Sequence, residues 1–198
     1  MELIRKTTPS DERYLSDESR VMGAAEYIAF PTSAEEISSV IRGCADHDVP
    51  LTAQGGLTGL AGGASPARGL ALNLQRMNRI LGLRRDDRGR YCLRVQPGLL
   101  LAQLRKALET RSFDVRGWDE ASLETLKGIK PGALFFSPDP TEPTASLGGM
   151  ASCNACGARS FLYGCTRAHI NALRVVLADG RVASLMRGRD KALGRHVR

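Results

Sequence analysis

Short apolar runs and two helical stripes divide the chain. Tyr27 to Phe30 is an apolar run closed by Pro31, which predicts a strand. Ser33-Ala34-Glu35-Glu36 then fits a capping box, in which Ser33 and Glu36 satisfy the first free N–H groups of a helix. Ile37, Val40, Ile41 and Cys44 follow at helical spacing and stop before Pro50, so they predict one buried stripe. Val49 to Ala53 and Leu70 to Leu74 read as further strands, the first completing a βαβ unit. Asp86-Asp87-Arg88-Gly89 predicts a turn, and the alternation of Tyr91, Leu93 and Val95 with Cys92 and Arg94 predicts a half-buried strand. Leu100, Leu101, Leu104, Ala107 and Leu108 recur with polar residues between them, which predicts an amphipathic helix. A short helix is expected over Ser122 to Lys127, in a stretch from 111 to 133 that carries no functional signal. His169 to Ser184 predicts a hairpin turning at Asp179-Gly180. Residues 1–26 are polar and mixed in charge, and are expected as a loosely held lead-in with one short helix.

Two segments stand outside this pattern. Gln54 to Gly63 holds five glycines in ten residues between two predicted strands. Such a loop reaches φ > 0 and turns its N–H groups toward one point, a concavity suited to phosphate. Thr58 adds a hydroxyl, and the loop follows the carboxyl end of a strand, where α/β sheets hold ligands. The second segment, Phe135 to Gly157, opens with three prolines and turns to Ala, Ser, Gly and Cys. Its small residues let backbone approach a flat or bulky group, and a helix starting near Ser146 aims N–H groups at an anion. Together the two segments suggest one large ligand with phosphate and ring parts. A flexible linker for the first, and tight helix-on-sheet packing for the second, are the competing structural readings.

Composition narrows the classes. At 198 residues the chain can bury a core as one domain or two small lobes. Its net charge of +7 invites a nucleic-acid reading, but four of those charges fall in the last twelve residues, and aromatics for base stacking make up only 5 %. That end reads as a solvated basic tail at a truncation point. No run is long enough to span a membrane, and Met1 to Lys6 lacks a signal-peptide core, so a cytoplasmic protein is expected, with peripheral membrane association left open. Five cysteines without framework spacing agree with a reducing compartment.

The blocks Val49 to Ile80 and Asp139 to Gly180 resemble the FAD-binding domain of the vanillyl-alcohol oxidase and p-cresol methylhydroxylase (PCMH-type) superfamily. The nearest branch is the group of FAD-linked glycolate oxidases, D-lactate dehydrogenases and D-2-hydroxyglutarate dehydrogenases. The resemblance runs in matching order from residue 27 to about 185, including Met77-Asn78-Arg79-Ile80 and the Val-Val-Leu-Ala-Asp-Gly hairpin. It implies an α+β fold in two lobes, a small βαβ lobe over 27–83 and a larger lobe over 84–186 with a mixed or antiparallel sheet flanked by helices. The lead-in covers 1–26 and the basic tail 187–198.

The resemblance also implies FAD between the lobes. Gly55, Gly56, Leu57, Thr58, Gly59 and Leu60 would wrap the diphosphate. Pro138, Asp139, Thr144, Ala145, Ser146, Gly148 and Gly149 would run along the diphosphate and flavin, with Ser152, Cys153, Asn154 and Gly157 beside the ring or ribityl chain. Leu57 stands where the family usually has glycine, so its side chain must point away from the phosphates. No histidine near the loop matches the family's covalent tether, which implies non-covalent FAD. The complete enzyme would oxidise a small D-2-hydroxy acid by hydride transfer to flavin N5, passing electrons to an acceptor protein or quinone. Its substrate-binding cap would lie beyond this chain, so no catalytic residue and no metal site is assigned.

The rival readings are a flavin- or nucleotide-binding subunit without chemistry of its own, and a zinc module using Cys153, Cys156, Cys165 and His169. A nicotinamide Rossmann motif and a Walker motif are both missing from the sequence. No nucleic-acid partner is expected. Without its cap, the chain is expected to expose apolar surface and self-associate.

Overall fold

The computed structural model describes residues 3–138 and 140–189. Its first lobe is a four-stranded sheet made by β1 (Ile4–Lys6), β2 (Tyr27–Ala29), β3 (Leu51–Gln54) and β4 (Leu70–Asn73), in the order β1-β2-β4-β3. β4 lies parallel to both β2 and β3, whereas β1 is antiparallel to β2. Helix α1 (Ala34–Asp46) crosses from β2 to β3 and leaves the central place in the sheet to β4. Leu70 to Asn73 is accordingly buried on both faces, as the central strand of a covered parallel sheet must be.

Ser33 caps α1 through the Glu36 N–H at 3.1 Å, and the Glu36 carboxylate reaches back to the Thr32 N–H at 2.6 Å. Ile37, Val40 and Cys44 then pack on Ala29, Leu70 and Leu72, the stripe that the helical spacing predicts.

The lead-in is held more firmly than its polarity suggests. β1 adds to the sheet, and a 3-10 turn over Pro9–Tyr14 buries Asp11 and Tyr14. Arg5 pairs with Asp11 at 2.6 Å, and the Tyr14 ring meets Phe30 edge-on with centroids 5.2 Å apart. Sparse apolar anchors are enough here because a part-buried ion pair and backbone pairing supply the rest.

The second core gathers around β5 (Ile80–Arg85), β6 (Tyr91–Val95), α2 (Leu101–Thr110) and α3 (Glu120–Lys127). β5 runs past the expected lobe boundary at residue 83 and pairs antiparallel with β6. Trp118 lies inside this core and donates its indole N–H to the Ile80 carbonyl at 2.9 Å, which gives the unassigned stretch 111–133 a packing role.

Helix α4 (Leu147–Cys153) starts at the Ser146 cap, and a short turn α5 (Ser160–Tyr163) follows. The hairpin of β7 (Ala172–Val176) and β8 (Val182–Met186) forms as expected, but it docks on the first lobe. Arg174 pairs with Glu35 at 2.8 Å, Ser38 donates to the Gly180 carbonyl, and Val176 joins the core beneath α1. Of the expected basic tail, residues 190–198 lie outside the described residues.

Candidate functional site

The glycine loop leaves β3 at Gln54, whose side chain is buried and acts as a strut. Its amide donates to the Tyr14 carbonyl at 2.7 Å and the Ala64 carbonyl at 2.8 Å, while its oxygen accepts from Asn73 at 3.3 Å. The loop's far end is tied by Asp17, a buried carboxylate that accepts the Ala64 N–H at 3.2 Å and the Ser19 N–H at 3.0 Å. Hydrogen bonds from Ser19 and Ala64 hold Asp17 below its ordinary pKa against the opposing effect of burial. The Glu18 N–H also donates to the Leu57 carbonyl at 3.1 Å, so the lead-in braces the loop along its length.

The loop and the small-residue segment meet. The Gly56 N–H donates to Ser146 Oγ at 3.1 Å, and that oxygen also caps α4 through the Gly149 N–H at 3.3 Å. A Cβ at Gly55 would lie 2.2 Å from Ser146 Oγ, and one at Gly56 would lie 2.5 Å from the Thr144 carbonyl oxygen. Both glycines therefore let two backbones touch, in addition to shaping a concavity. The Gly56 N–H is spent on Ser146, whereas those of Leu57 and Thr58 have no intramolecular partner among the described residues. Leu57 adopts the left-handed conformation at φ +61°, and its half-buried side chain packs on the cluster of Tyr14, Ala25, Ile28, Phe30 and Ala71 at the edge of the loop.

Around this junction lies a cleft of about 300 Å³. Gly55, Gly56, Leu57 and Thr144 line it, as do Arg13, Tyr14, Asn73, Gln75, Asn78, Gly98, Leu100 and Gln103. Among the described residues, its lining offers amides, hydroxyls and one guanidinium, and holds no carboxylate. Such a donor set fits a ligand that carries negative charge and polar edges, as FAD does.

The other expected contacts are placed differently. Ala145 and Ser146 are buried, and the Ala145 carbonyl accepts the Leu101 N–H at 2.9 Å. Gly148 packs against Pro97, where a Cβ would come within 2.6 Å of the ring, and its N–H donates to the Pro97 carbonyl at 2.8 Å. Thr58, Gly59, Leu60, Pro138, Ser152, Cys153, Asn154 and Gly157 do not line the cleft, and Gly59, Leu60, Ser152 and Cys153 are exposed. Asp139 lies outside the described residues.

Eight lining residues were missed in the sequence. Asn73 ends β4, and Gln75 and Asn78 follow it, so the rule that pointed to the glycine loop also covers them. Gly98, Leu100 and Gln103 sit where β6 turns into α2, another such end. Arg13 and Tyr14 carried no signal.

The zinc reading does not survive. Thr166 donates its N–H and hydroxyl to the Ala155 carbonyl, at 3.1 and 2.7 Å, folding residues 165–167 back on 154–156. This brings Cys156 and Cys165 together in a disulfide, so neither can serve as a thiolate ligand. The pairing also departs from the all-thiol state expected for a reducing compartment, while Cys44, Cys92 and Cys153 remain free. His169 instead bonds the Tyr163 carbonyl at 2.9 Å.

Comparison with known proteins agrees with the geometry. Residues 25–116 and 124–185 match the family described as FAD binding domain, and the chain belongs to it. It is 33 % identical over 178 residues to a D-lactate dehydrogenase of Anaerostipes hadrus, covering 88 % of this chain and 32 % of that protein. Against the glycolate oxidase subunit GlcD of Bacillus subtilis it is 32 % identical, covering 76 % of this chain and 27 % of the relative. The chain thus spans about a third of the length of the relatives it matches.

Among solved structures, 6-hydroxy-D-nicotine oxidase from Arthrobacter nicotinovorans superposes with a TM-score of 0.69 at 18 % identity, covering 94 % of this chain and 36 % of that one. Chitooligosaccharide oxidase superposes with a TM-score of 0.68 at 20 % identity, covering 92 % of this chain and 34 % of that one. These likenesses give the fold, the α+β architecture of PCMH-type FAD-binding domains. FAD is the cofactor of the family. Among the described residues, no helix is long and apolar enough to cross a membrane.

Proposed function

We propose that this chain is the FAD-binding portion of a flavin-dependent dehydrogenase acting on a D-2-hydroxy acid of the lactate or glycolate type. The observation that carries it is the junction of the Gly55–Gly56 loop with Thr144–Ser146, which builds one cleft from both resemblance blocks. The names of the relatives support the substrate class.

In this reading the FAD diphosphate sits over Gly55 to Thr58, where the Leu57 and Thr58 N–H groups can donate to it. Thr144 stands on the opposite wall with the segment through Gly149 packed behind it, and Ser152, Cys153, Asn154 and Gly157 are assigned toward the flavin end beyond the cleft, with Pro138 and Asp139 at its approach. When bound, the flavin supplies hydride acceptance at N5 from the carbon bearing the substrate hydroxyl. The chain's own work is to orient and shield that cofactor, and none of its residues is assigned a catalytic role. FAD is held without a covalent bond, since the sequence from Gln54 to Gly63 has no histidine. Electrons pass on to an acceptor protein or quinone, and the protein is cytoplasmic or bound at a membrane surface.

The test is a visible spectrum of the purified chain after loading with FAD and desalting. Flavin absorbance is retained by the chain and lost in Gly56→Val, whose side chain would drive the loop off the Thr144 backbone. Acid precipitation then releases the flavin into the supernatant. A folded chain that retains no flavin overturns the reading.

A further inference from the structure

Arg13 is the one formally charged residue in the lining of the cleft among the described residues. A diphosphate brings two negative charges to a loop that offers only backbone and hydroxyl donors, since Gln54 to Gly63 contains neither lysine nor arginine. Arg13 is exposed, but its guanidinium is tethered. It lies over the Tyr14 ring with Cζ 4.6 Å from the centroid, and one Nη donates to the Tyr14 hydroxyl. Tyr14 is itself buried, and its hydroxyl contacts the Gln75 side-chain amide at 3.0 Å. The Tyr14 carbonyl is gripped by Gln54 at the root of the glycine loop. A planar cation is thus fixed to the wall of the cleft through the same strut that starts the loop. Guanidinium matches phosphate in planar, two-pronged fashion, and stacking on a ring lowers the entropy lost on pairing.

We propose that Arg13 is the cation that pairs with the FAD diphosphate, which makes the lead-in segment part of the cofactor site. The proposal rests on the FAD reading above. It places on the first residues of the chain a binding role that the glycine loop cannot supply alone.

The experiment titrates the chain and its Arg13→Ala, Arg13→Lys and Arg13→Gln variants with FAD, followed by flavin fluorescence, from low to molar sodium chloride. Circular dichroism of each variant confirms its fold. At low salt Arg13→Ala and Arg13→Gln bind FAD roughly ten- to a hundredfold more weakly, the range for a charge-assisted bond, and Arg13→Lys recovers part of the loss. Because such a pair is screened by salt, the parent's affinity falls more steeply with salt than that of the neutral variants, and the curves converge. Variants that bind as tightly as the parent, or that weaken equally at every salt concentration, overturn the assignment while the FAD reading stands. A folded parent chain that binds no FAD at any salt concentration overturns both. If Arg13→Ala does not fold, Arg13→Gln and Arg13→Lys carry the comparison.

Discussion

Ser146 Oγ accepts the N–H of Gly56 at 3.1 Å, joining residues ninety positions apart, while the same oxygen caps α4. One hydroxyl therefore ties the glycine loop to the segment that faces it. Replacing Ser146 with alanine removes a helix cap, at about 1 kcal/mol, and leaves the Gly56 N–H short of a partner, at about 1 to 3 kcal/mol. Ser146→Ala is expected to lower the denaturant midpoint and to weaken FAD binding together, and Ser146→Cys, which keeps the volume but not a strong acceptor, should show the same pair of losses. Unchanged stability and affinity in the alanine variant would show that the two segments hold together without this bond.

Leu57 provides a test of backbone strain. At φ +61° an L-residue costs about 1 to 2 kcal/mol, and the half-buried side chain returns part of that against the cluster around Tyr14 and Ile28. The two effects nearly cancel on replacement by glycine, so Leu57→Gly should change stability by less than about 1 kcal/mol. Leu57→Val keeps the strain, adds branching at Cβ, and should destabilise by about 1 to 2 kcal/mol. Equilibrium unfolding in urea checks both variants, and equal tolerance of valine and glycine would contradict the conformation.

Acid should loosen the lead-in. Hydrogen bonding from the Arg5 guanidinium, helped by Thr8, holds the Asp11 carboxyl well below the usual carboxylate range. Asp17, at the loop's other end, is shifted in the same direction. A depressed pKa means that the folded chain binds these protons less readily than the unfolded chain. Their stabilisation is therefore complete above about pH 4, the unfolded value, and is lost as pH falls through the lower folded values. Melting temperatures should be flat near neutrality and drop below about pH 4. Asp11→Asn should be less stable at neutral pH and show a shallower drop in acid, and a parallel drop in both proteins would remove Asp11 from the account.

The fold was legible wherever burial imposed a period. Ile37, Val40 and Cys44 on one face of α1, the alternation in β6, and the Asp179-Gly180 turn each reflect a local rule that tertiary contacts did not override. β1 was not legible, because Ile4 to Lys6 gains its strand conformation only by pairing with β2. The candidate cleft was half legible. Glycine content marked Gly55 and Gly56, but their contact with Thr144 and Ser146 depends on chain folding that no local pattern encodes. Arg13 was hidden for the same reason, since it reaches the cleft only because Tyr14 is anchored on Phe30 and Gln75. The disulfide arises from a turn at Thr166 that reverses the chain, and cysteine spacing alone did not distinguish it from separate thiols.

Apolar side chains gather on the surface near α5. Phe161 is fully exposed, Leu162 is 73 % exposed and Phe135 is 63 % exposed, with the Phe135 ring edge-on to Tyr163 at 5.7 Å. A cluster of this kind in water gains by being covered, at about 25 cal/mol per Å² of apolar area removed. The chain is therefore expected to self-associate as its concentration rises. Light scattering across a concentration series should show growing mass for the parent, and a lower mass for the Phe161→Ser, Leu162→Ser double variant at equal concentration. Both residues lie away from the cleft lining, so FAD affinity should be the same in the two proteins. A parent that stays monomeric at high concentration, or a double variant that associates as strongly, would remove this patch as the cause.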